Sequence, residues 1–206
     1  QEITDKTFDT SFHLPGYQPT IKPNPLQIRR LAEALAQAKK PVLLAGAGVH
    51  FADASVELKA FAERFELPVT TTLLGLGSFP GGHEQALGMA GMHGSYSANM
   101  ALYEADLLIN IGARFDDRLT GAIQHFAPEA TVAHIDIDPA EIGKNIETKI
   151  PVVGDAKEAL NALLDIDIEC TDHSCWSEET MNNKKEYPFW FERSDDLISP
   201  QWLIES

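Results

Sequence analysis

Residues 41–48 read Pro41-Val-Leu-Leu-Ala-Gly-Ala-Gly48, and this stretch is the strongest indication of the fold. Its apolar half shows no alternation of polar and apolar residues, which is typical of a strand buried on both faces of a parallel sheet. Its glycine half permits a tight turn and a close approach of the backbone to another group. The stretch therefore predicts the first strand of an α/β domain and the loop that follows it.

Helical and strand-like segments alternate on both sides of this stretch. Asn24 and Pro25 are a candidate N-cap and first residue of an amphipathic helix, and Asp53 is expected to cap a second one. Further strands are predicted at 68–73, 106–111, 131–137 and around 152–153, and further helices at 96–105 and 156–164. This alternation predicts a Rossmann-like, doubly wound α/β fold, in which a parallel sheet of five or six strands carries helices on both faces.

Composition divides the chain into three parts. Residues 1–23 contain prolines and no periodicity, which predicts an N-terminal arm, and residues 24–164 are expected to form the domain itself. Residues 165–206 carry 11 acidic and 3 basic side chains, which predicts a solvated acidic linker. Near its end, Ser199 and Pro200 favour the start of a helix in a truncated following domain. Gln1 and the lack of a charged and then apolar leader favour a piece of a longer protein.

The charge and cysteine content exclude several classes of protein. A net charge of −15 repels phosphate, so nucleic acid and anionic membranes are not expected partners. The apolar runs are too short to cross a bilayer, so no membrane span is predicted. Cys170 and Cys175 lack a second pair and nearby His ligands, so neither a disulfide scaffold nor a metal site is predicted. These features favour a reduced, cytoplasmic setting.

Glycine or charged residues follow five successive predicted strands. Ligands of open parallel sheets bind at the carboxyl ends of the strands, so these loops are where a site is expected. The loops are Gly46-Ala-Gly48, Thr72-Leu-Leu-Gly-Leu-Gly77 with Gly91-Met-His-Gly94, Gly112-Ala-Arg-Phe-Asp-Asp-Arg118, Asp136-Ile-Asp138 and Gly154-Asp-Ala156. Taken together they predict a nucleotide-bearing ligand lying across the sheet, with Asp136 accepting hydrogen bonds from ribose hydroxyls.

Structural alternatives exist for three of these loops taken singly. Gly46 and Gly48 could serve packing alone, since Phe51 stands where the dinucleotide fingerprint has its third glycine. The charged loop at 112–118 could be a solvated turn. Asp155 could be a helix cap that also contacts the ligand.

In order and spacing, these motifs resemble the central domain of the acetohydroxyacid synthase family, the large subunits of biosynthetic acetolactate synthase. The resemblance includes Arg114-Phe-Asp-Asp-Arg118 and His134-Ile-Asp-Ile-Asp138 followed by Ala140-Glu-Ile-Gly-Lys-Asn145. It extends from Leu14-Pro-Gly-Tyr17 to Ser199-Pro-Gln201, which is nearly the whole chain. This resemblance is more specific than any single loop.

The resemblance implies a function for the whole protein and a smaller one for this chain. The family uses thiamine diphosphate and Mg²⁺ to decarboxylate pyruvate and join the two-carbon fragment to a second 2-ketoacid, in branched-chain amino-acid biosynthesis. Its central domain holds FAD, which performs no net redox chemistry. Implied partners are flanking thiamine-binding domains of the same chain, further copies in a homodimer or homotetramer, and a regulatory small subunit. The family's Gly-Asp-Gly…Asn motif and catalytic Glu are absent here, so the chain alone is expected to be inactive.

The resemblance also assigns residues to the site. Residues placed along FAD share small side chains, backbone donors or charge, and they are His13, Gly46, Ala47, Gly48, Thr72, Leu73, Gly91, Met92, His93, Gly112, Ala113, Arg114, Phe115, Asp116, Asp136, Ile137, Asp155 and Ala156. Arg118 is expected to bind the carboxylate of the incoming 2-ketoacid, and Met92 to form an apolar wall beside it.

Two alternatives to this assignment remain. The chain could be the middle domain of another thiamine-dependent decarboxylase or oxidase, which binds ADP, binds redox-active FAD or is empty. It could also be a stand-alone nucleotide-binding module without catalytic partner domains. The loop from Arg114 to Arg118 argues against the first, and the truncated helix after Ser199 argues against the second.

Overall fold

A parallel sheet of six strands forms the centre of the computed structural model, which describes residues 16, 18–193 and 198–205. The strands are β1 Pro41–Ala45, β2 Val69–Thr71, β3 Ala86–Met89, β4 Leu107–Ile111, β5 Thr131–Asp136 and β6 Ile150–Val153. They lie in the order β3-β2-β1-β4-β5-β6, and every neighbouring pair is parallel. The order reverses between β1 and β4, as in a Rossmann-like doubly wound fold. The predicted fold is confirmed.

Helices cover both faces of the sheet and create two cores. They are α1 Pro25–Gln37, α2 Ala47–Phe51, α3 Ser55–Arg64, α4 Tyr96–Glu104, α5 Asp117–Thr120, α6 Ala156–Leu164, α7 Ser174–Glu186 and α8 Pro200–Glu205, with 3-10 turns at Leu73–Gly75 and Ile123–His125. Neighbouring strand residues point to opposite faces, so Leu43 packs with α1, α3 and α6 while Leu44 packs with α4 and α7. Both leucines are fully buried.

The N-cap predictions succeed at α1 and fail at α3. Asn24 caps α1, and its side chain accepts the N–H of Leu26 at 2.9 Å. Asp53 does not cap α3, because the N-cap position is Ala54 and Asp53 itself lies at a left-handed φ of 50°. The Asp53 backbone carbonyl instead accepts a hydrogen bond from Lys157 Nζ at 2.9 Å. The short helix α2, inserted before it, moves the start of α3 beyond the predicted cap.

Strand β3 was not among the individual strands that the sequence predicts. It lies within the glycine-rich stretch 74–94, has only four residues, and contains Gly88 at a left-handed φ of 94°. Its pairing with β2 shifts register between Val69 and Thr70, where Ala86 and then Gly88 are the partners. Leu87, in the bulge, is buried in the core beneath α4. A strand this short and irregular leaves no period of two in the sequence.

Part of the acidic C-terminal segment is packed onto the domain. Residues Ser174–Glu186 form helix α7, and Trp176 on it is buried against α4 and the sheet. The indole Nε1–H donates to the Pro41 carbonyl at 2.9 Å, and the His173 ring contacts the carbonyls of Phe65 and Ala38. The prediction of a solvated linker is therefore wrong for α7, because Trp176 and Thr180 are buried and anchor an otherwise polar helix.

At the two ends of the chain the predictions are tested only in part. Residues 18–24 have no regular structure, and the rest of the predicted arm lies largely outside the described residues. The predicted final helix is present as α8, where Ser199 Oγ accepts the N–H of Trp202. None of the helices in the described ranges is long and apolar enough to span a membrane.

Candidate functional site

The predicted loops emerge together at one edge of the sheet. All six strands are parallel, so the segments that follow them lie at the carboxyl edge. The segments are 46–48 after β1, 72–73 after β2, 91–93 after β3, 112–118 after β4, 136–137 after β5 and 154–156 after β6. The strand order reverses between β1 and β4, where a doubly wound sheet opens its ligand crevice. The structure thus brings the predicted site residues of these six loops to one edge.

Glycines allow two loops to touch at this crevice. The Gly46 N–H donates to the Ile111 carbonyl and the Gly48 N–H donates to the Gly112 carbonyl, both at 2.9 Å. A Cβ on Gly46 would lie 2.2 Å from the Gly112 oxygen, and one on Gly48 would lie 2.6 Å from the Gly112 Cα. Both glycines are therefore required by loop packing, which is the structural alternative weighed above. Their N–H groups are engaged, so they cannot also donate to a phosphate without breaking these bonds.

A buried asparagine shapes the loop after β4. Asn110 is fully buried at the end of β4, and its side chain donates to the Ala113 carbonyl at 2.6 Å and accepts the Ala113 N–H at 3.1 Å. These two bonds hold residues 110–113 in a fixed turn and direct the chain toward Arg114. Sequence reasoning missed Asn110, although a lone polar residue inside the apolar run Leu107–Ile111 was a usable signal.

Beyond this turn, charged and aromatic side chains alternate between solvent and core. Arg114 and Asp116 are exposed and form an ion pair at 3.1 Å, with side chains 59% and 51% accessible. Phe115 between them is buried, and its carbonyl accepts a hydrogen bond from Asn145 Nδ2 at 2.8 Å. Arg114 is therefore a solvent-facing cation at the carboxyl edge, on a loop anchored by its neighbour.

The two residues predicted to face the substrate lie against each other. Arg118 Nη1 is 3.9 Å from the Met92 sulfur, and the Arg118 carbonyl accepts the Met92 N–H at 2.9 Å. Gly91, at φ 102°, makes this approach possible, since a Cβ there would lie 2.5 Å from the Arg118 oxygen. Both side chains are exposed, and within the described part of the chain the Arg118 guanidinium makes no ion pair. Arg118 therefore does not pair with the nearby Asp116 or Asp117.

The loops after β2 and β3 contribute Thr72, Leu73 and His93 to the carboxyl edge. Thr72 caps the 3-10 turn Leu73–Gly75 by accepting the Gly75 N–H at 3.2 Å. Leu73 and His93 are exposed. Apolar Leu73 and Met92 thus both reach solvent at the edge where the loops gather.

Among the predicted residues after β5 and β6, helix capping and packing are prominent. Asp136 has 12% of its side chain accessible, and its Oδ1 accepts the Asp138 N–H at 2.9 Å, while Ile137 is exposed. Asp155 caps α6 by accepting the N–H of Lys157 at 2.9 Å. Ala156 is buried in the core beneath α6. His13 lies outside the described residues.

Other features lie away from this edge. A surface depression of about 350 Å³ is lined by the end of α3 and residues 168–173, which lie at the amino edge of the sheet. Within the residues that the structure describes, no group of three or more His, Cys, Asp or Glu side chains is arranged for a metal ion. The carboxyl edge therefore remains the candidate site.

The sequence of this chain matches a known protein family over most of its length. Residues 28–163 match the family described as "Thiamine pyrophosphate enzyme, central domain". The chain belongs to this family. The matched range begins within α1 and ends within α6, so it contains the whole sheet and every motif loop. It leaves out the N-terminal arm and the acidic segment.

Curated relatives of this thiamine pyrophosphate enzyme domain narrow the comparison. The chain is 50% identical over 194 residues to the probable acetolactate synthase large subunit of Methanocaldococcus jannaschii. The aligned region covers 93% of this chain and 33% of the relative. It is 46% identical over 204 residues to the acetolactate synthase large subunit of Lactococcus lactis (99% and 35%). It is 47% identical over 207 residues to that of Corynebacterium glutamicum (98% and 33%). The chain thus spans about a third of the length of these relatives.

Proposed function

We propose that this chain is the FAD-binding central domain of an acetolactate synthase large subunit. The observation that carries the proposal is the gathering of all six motif loops at the carboxyl edge, around the point where the strand order reverses. A dinucleotide lying along that edge would contact several loops at once. The family membership and the named relatives support the same assignment.

Side chains at this edge would suit the parts of FAD. Arg114 supplies positive charge for the pyrophosphate, which matters in a protein with a net charge of −15. Asp136 supplies acceptor oxygens for the ribose hydroxyls. Leu73 and Met92 offer apolar surface to the flavin ring. When bound, FAD would act as a structural cofactor with no net redox role, as the family resemblance implies.

The remaining predicted residues have proposed roles that follow from their placement. Gly46, Gly48 and Gly112 would shape the crevice through loop packing, since their N–H groups are already engaged. The other proposed lining residues are Ala47, Thr72, Gly91, His93, Ala113, Phe115, Asp116, Ile137, Asp155, Ala156 and, outside the described residues, His13.

The reaction itself belongs to the longer protein. There, decarboxylative condensation of pyruvate with a second 2-ketoacid would use thiamine diphosphate and Mg²⁺ held by flanking domains, in branched-chain amino-acid biosynthesis in the cytoplasm. Arg118 would grip the carboxylate of the second 2-ketoacid through two parallel hydrogen bonds, with Met92 as the apolar wall beside it. Homodimer or homotetramer assembly and a regulatory small subunit complete the proposal.

Calorimetry and an activity assay on the purified chain test this proposal. FAD is expected to bind reversibly and with modest affinity, because other domains would help to close the site. A mixture with pyruvate, thiamine diphosphate, Mg²⁺ and FAD is expected to give no acetolactate above a no-protein control. Absence of any FAD binding would contradict the cofactor assignment, and acetolactate formation would contradict the assignment of catalysis to other domains.

A further inference from the structure

His134 is a buried polar residue without a hydrogen-bond partner. Its side chain on β5 is fully buried, and neither ring nitrogen has a partner within the described part of the chain. The Phe115 ring packs against it edge to face, with centroids 5.3 Å apart. Leaving a buried donor unpaired costs free energy, and such groups in native cores usually have a specific reason.

Neighbouring residues on the adjacent strands do not supply that partner. Asn110 on β4 and Pro151 on β6 are the register neighbours of His134. The Asn110 amide is bonded through both its oxygen and its nitrogen to Ala113. Pro151 has no polar side-chain atom. Neither register neighbour therefore offers His134 a free acceptor.

Asp136 offers an acceptor on the same strand. It lies two residues on, on the same face of β5, and its Oδ2 is 3.6 Å from His134 Nε2. This distance is longer than a hydrogen bond, but a shift of less than about 1 Å would bring the two atoms within hydrogen-bonding distance. The other carboxylate oxygen, Oδ1, already accepts the Asp138 N–H at 2.9 Å. Asp136 thus stands between a buried histidine and the carboxyl edge.

We propose that His134 is a positioning residue, which donates its Nε2–H to Asp136 and fixes this carboxylate for the ribose of a bound adenine dinucleotide. The inference rests on the proposed FAD-binding function. FAD contains one ribose, in its adenosine half, and the flavin half carries an open-chain ribityl group. A carboxylate offers about four acceptor positions. The Asp138 N–H and His134 occupy two, so two remain for the two ribose hydroxyls.

Calorimetry with two matched ligands tests this role. ADP carries both ribose hydroxyls, and 2′,3′-dideoxyadenosine 5′-diphosphate lacks them. His134→Leu is expected to weaken ADP and FAD binding about tenfold and to leave the weaker binding of the dideoxy ligand unchanged. His134→Gln, which retains an N–H donor, is expected to restore much of the affinity. In an Asp136→Asn background, the His134→Leu substitution should cost little more.

A matched variant separates positioning from packing. Val132→Ala removes a buried side chain from the same face of β5 and takes away no polar group. It is expected to lower the thermal midpoint without changing the ratio of ADP to dideoxy-ligand affinity. The proposal is overturned if His134→Leu weakens both ligands equally, or weakens neither.

Long-range ¹H–¹⁵N spectra of the imidazole rings give a readout that needs no ligand. His134 in the free chain is expected to carry its proton on Nε2, and this nitrogen's shift is expected to move in Asp136→Asn. A proton on Nδ1 alone, or an unmoved shift, would overturn the inference even if FAD binds. If the chain binds neither FAD nor ADP, the proposed function fails, while these spectra still decide whether His134 holds Asp136.

Discussion

Asp155 has a structural role that the structure shows and a ligand contact that stays a prediction. Its carboxylate accepts the N–H groups of Lys157 at 2.9 Å and Glu158 at 3.2 Å, so it caps α6. Asp155→Ala is expected to lower the free energy of unfolding by about 1 kcal/mol, whereas Asp155→Asn, an equally good cap, should leave it nearly unchanged. Urea denaturation measures both. Equal destabilisation by Ala and Asn would contradict the capping role.

Arg118 is the residue for which kinetics separates function from structure. Its guanidinium contacts the Met92 sulfur and makes no ion pair with a described residue, so its loss removes little folding energy. In the full-length enzyme, Arg118→Lys is expected to keep folding and FAD content. It should also slow carboligation with the second 2-ketoacid, because Lys cannot form two parallel bonds to a carboxylate. Normal turnover combined with a melting temperature several degrees lower would make Arg118 structural.

At the scale of elements, the sequence predicted strands and helices where the pattern was long and regular. The run Pro41–Ala45 and the cap Asn24 needed no tertiary information, because apolar periodicity and a side-chain cap are local. β3 and α7 were missed because both depend on the sheet. β3 is four residues long with a bulge, and α7 is a polar helix held by Trp176.

For the candidate site, the sequence predicted where the loops lie but not which hydrogen bonds they make. The positions of the loops followed from the strand ends, but their bonding did not. The engaged N–H groups of Gly46 and Gly48 and the turn held by Asn110 arise from contacts between segments more than 60 residues apart or from the exact path of a turn. Local sequence does not encode the contacts between distant segments, and for the turn its only signal was the lone polar Asn110 in an apolar run.

Trp176 on α7 is the residue whose loss we expect to destabilise the domain most clearly. It is buried against α4 and the sheet, donates to the Pro41 carbonyl, and packs beneath the Lys40 ammonium at 4.6 Å. The Glu104 carboxylate, hydrogen-bonded to Lys40, raises the pKa of that ammonium. Trp176→Ala is expected to lower the free energy of unfolding by about 3–5 kcal/mol.

Trp190 is the matched control, because it is exposed in the same acidic segment. Trp190→Ala should change the free energy of unfolding by less than about 0.5 kcal/mol. Chemical denaturation followed by far-ultraviolet circular dichroism measures both variants. If the two substitutions had equal small effects, α7 would not be part of the folded domain.

For the molecule as a whole, helices cover both faces of the sheet in the described residues, and the edges of the sheet are left to bind a ligand. At the carboxyl edge lie Arg114, paired with Asp116, and Arg118, which has no ion pair with a described residue, together with exposed apolar side chains. At the amino edge lies the depression beside residues 168–173. We expect an anionic dinucleotide with an aromatic ring to bind at the first edge, through Arg118 and the exposed apolar surface.

Titration of ¹⁵N-labelled chain with FAD, followed through backbone amide shifts, distinguishes these two edges. The method detects weak binding and reports its position residue by residue. We expect saturable shifts at 46–48, 112–118 and 136–137, with the last group also moved by ADP alone. Shifts confined to residues 64–66 and 168–173, or no saturable shifts at millimolar FAD, would contradict the assignment of this chain as a flavin-binding domain.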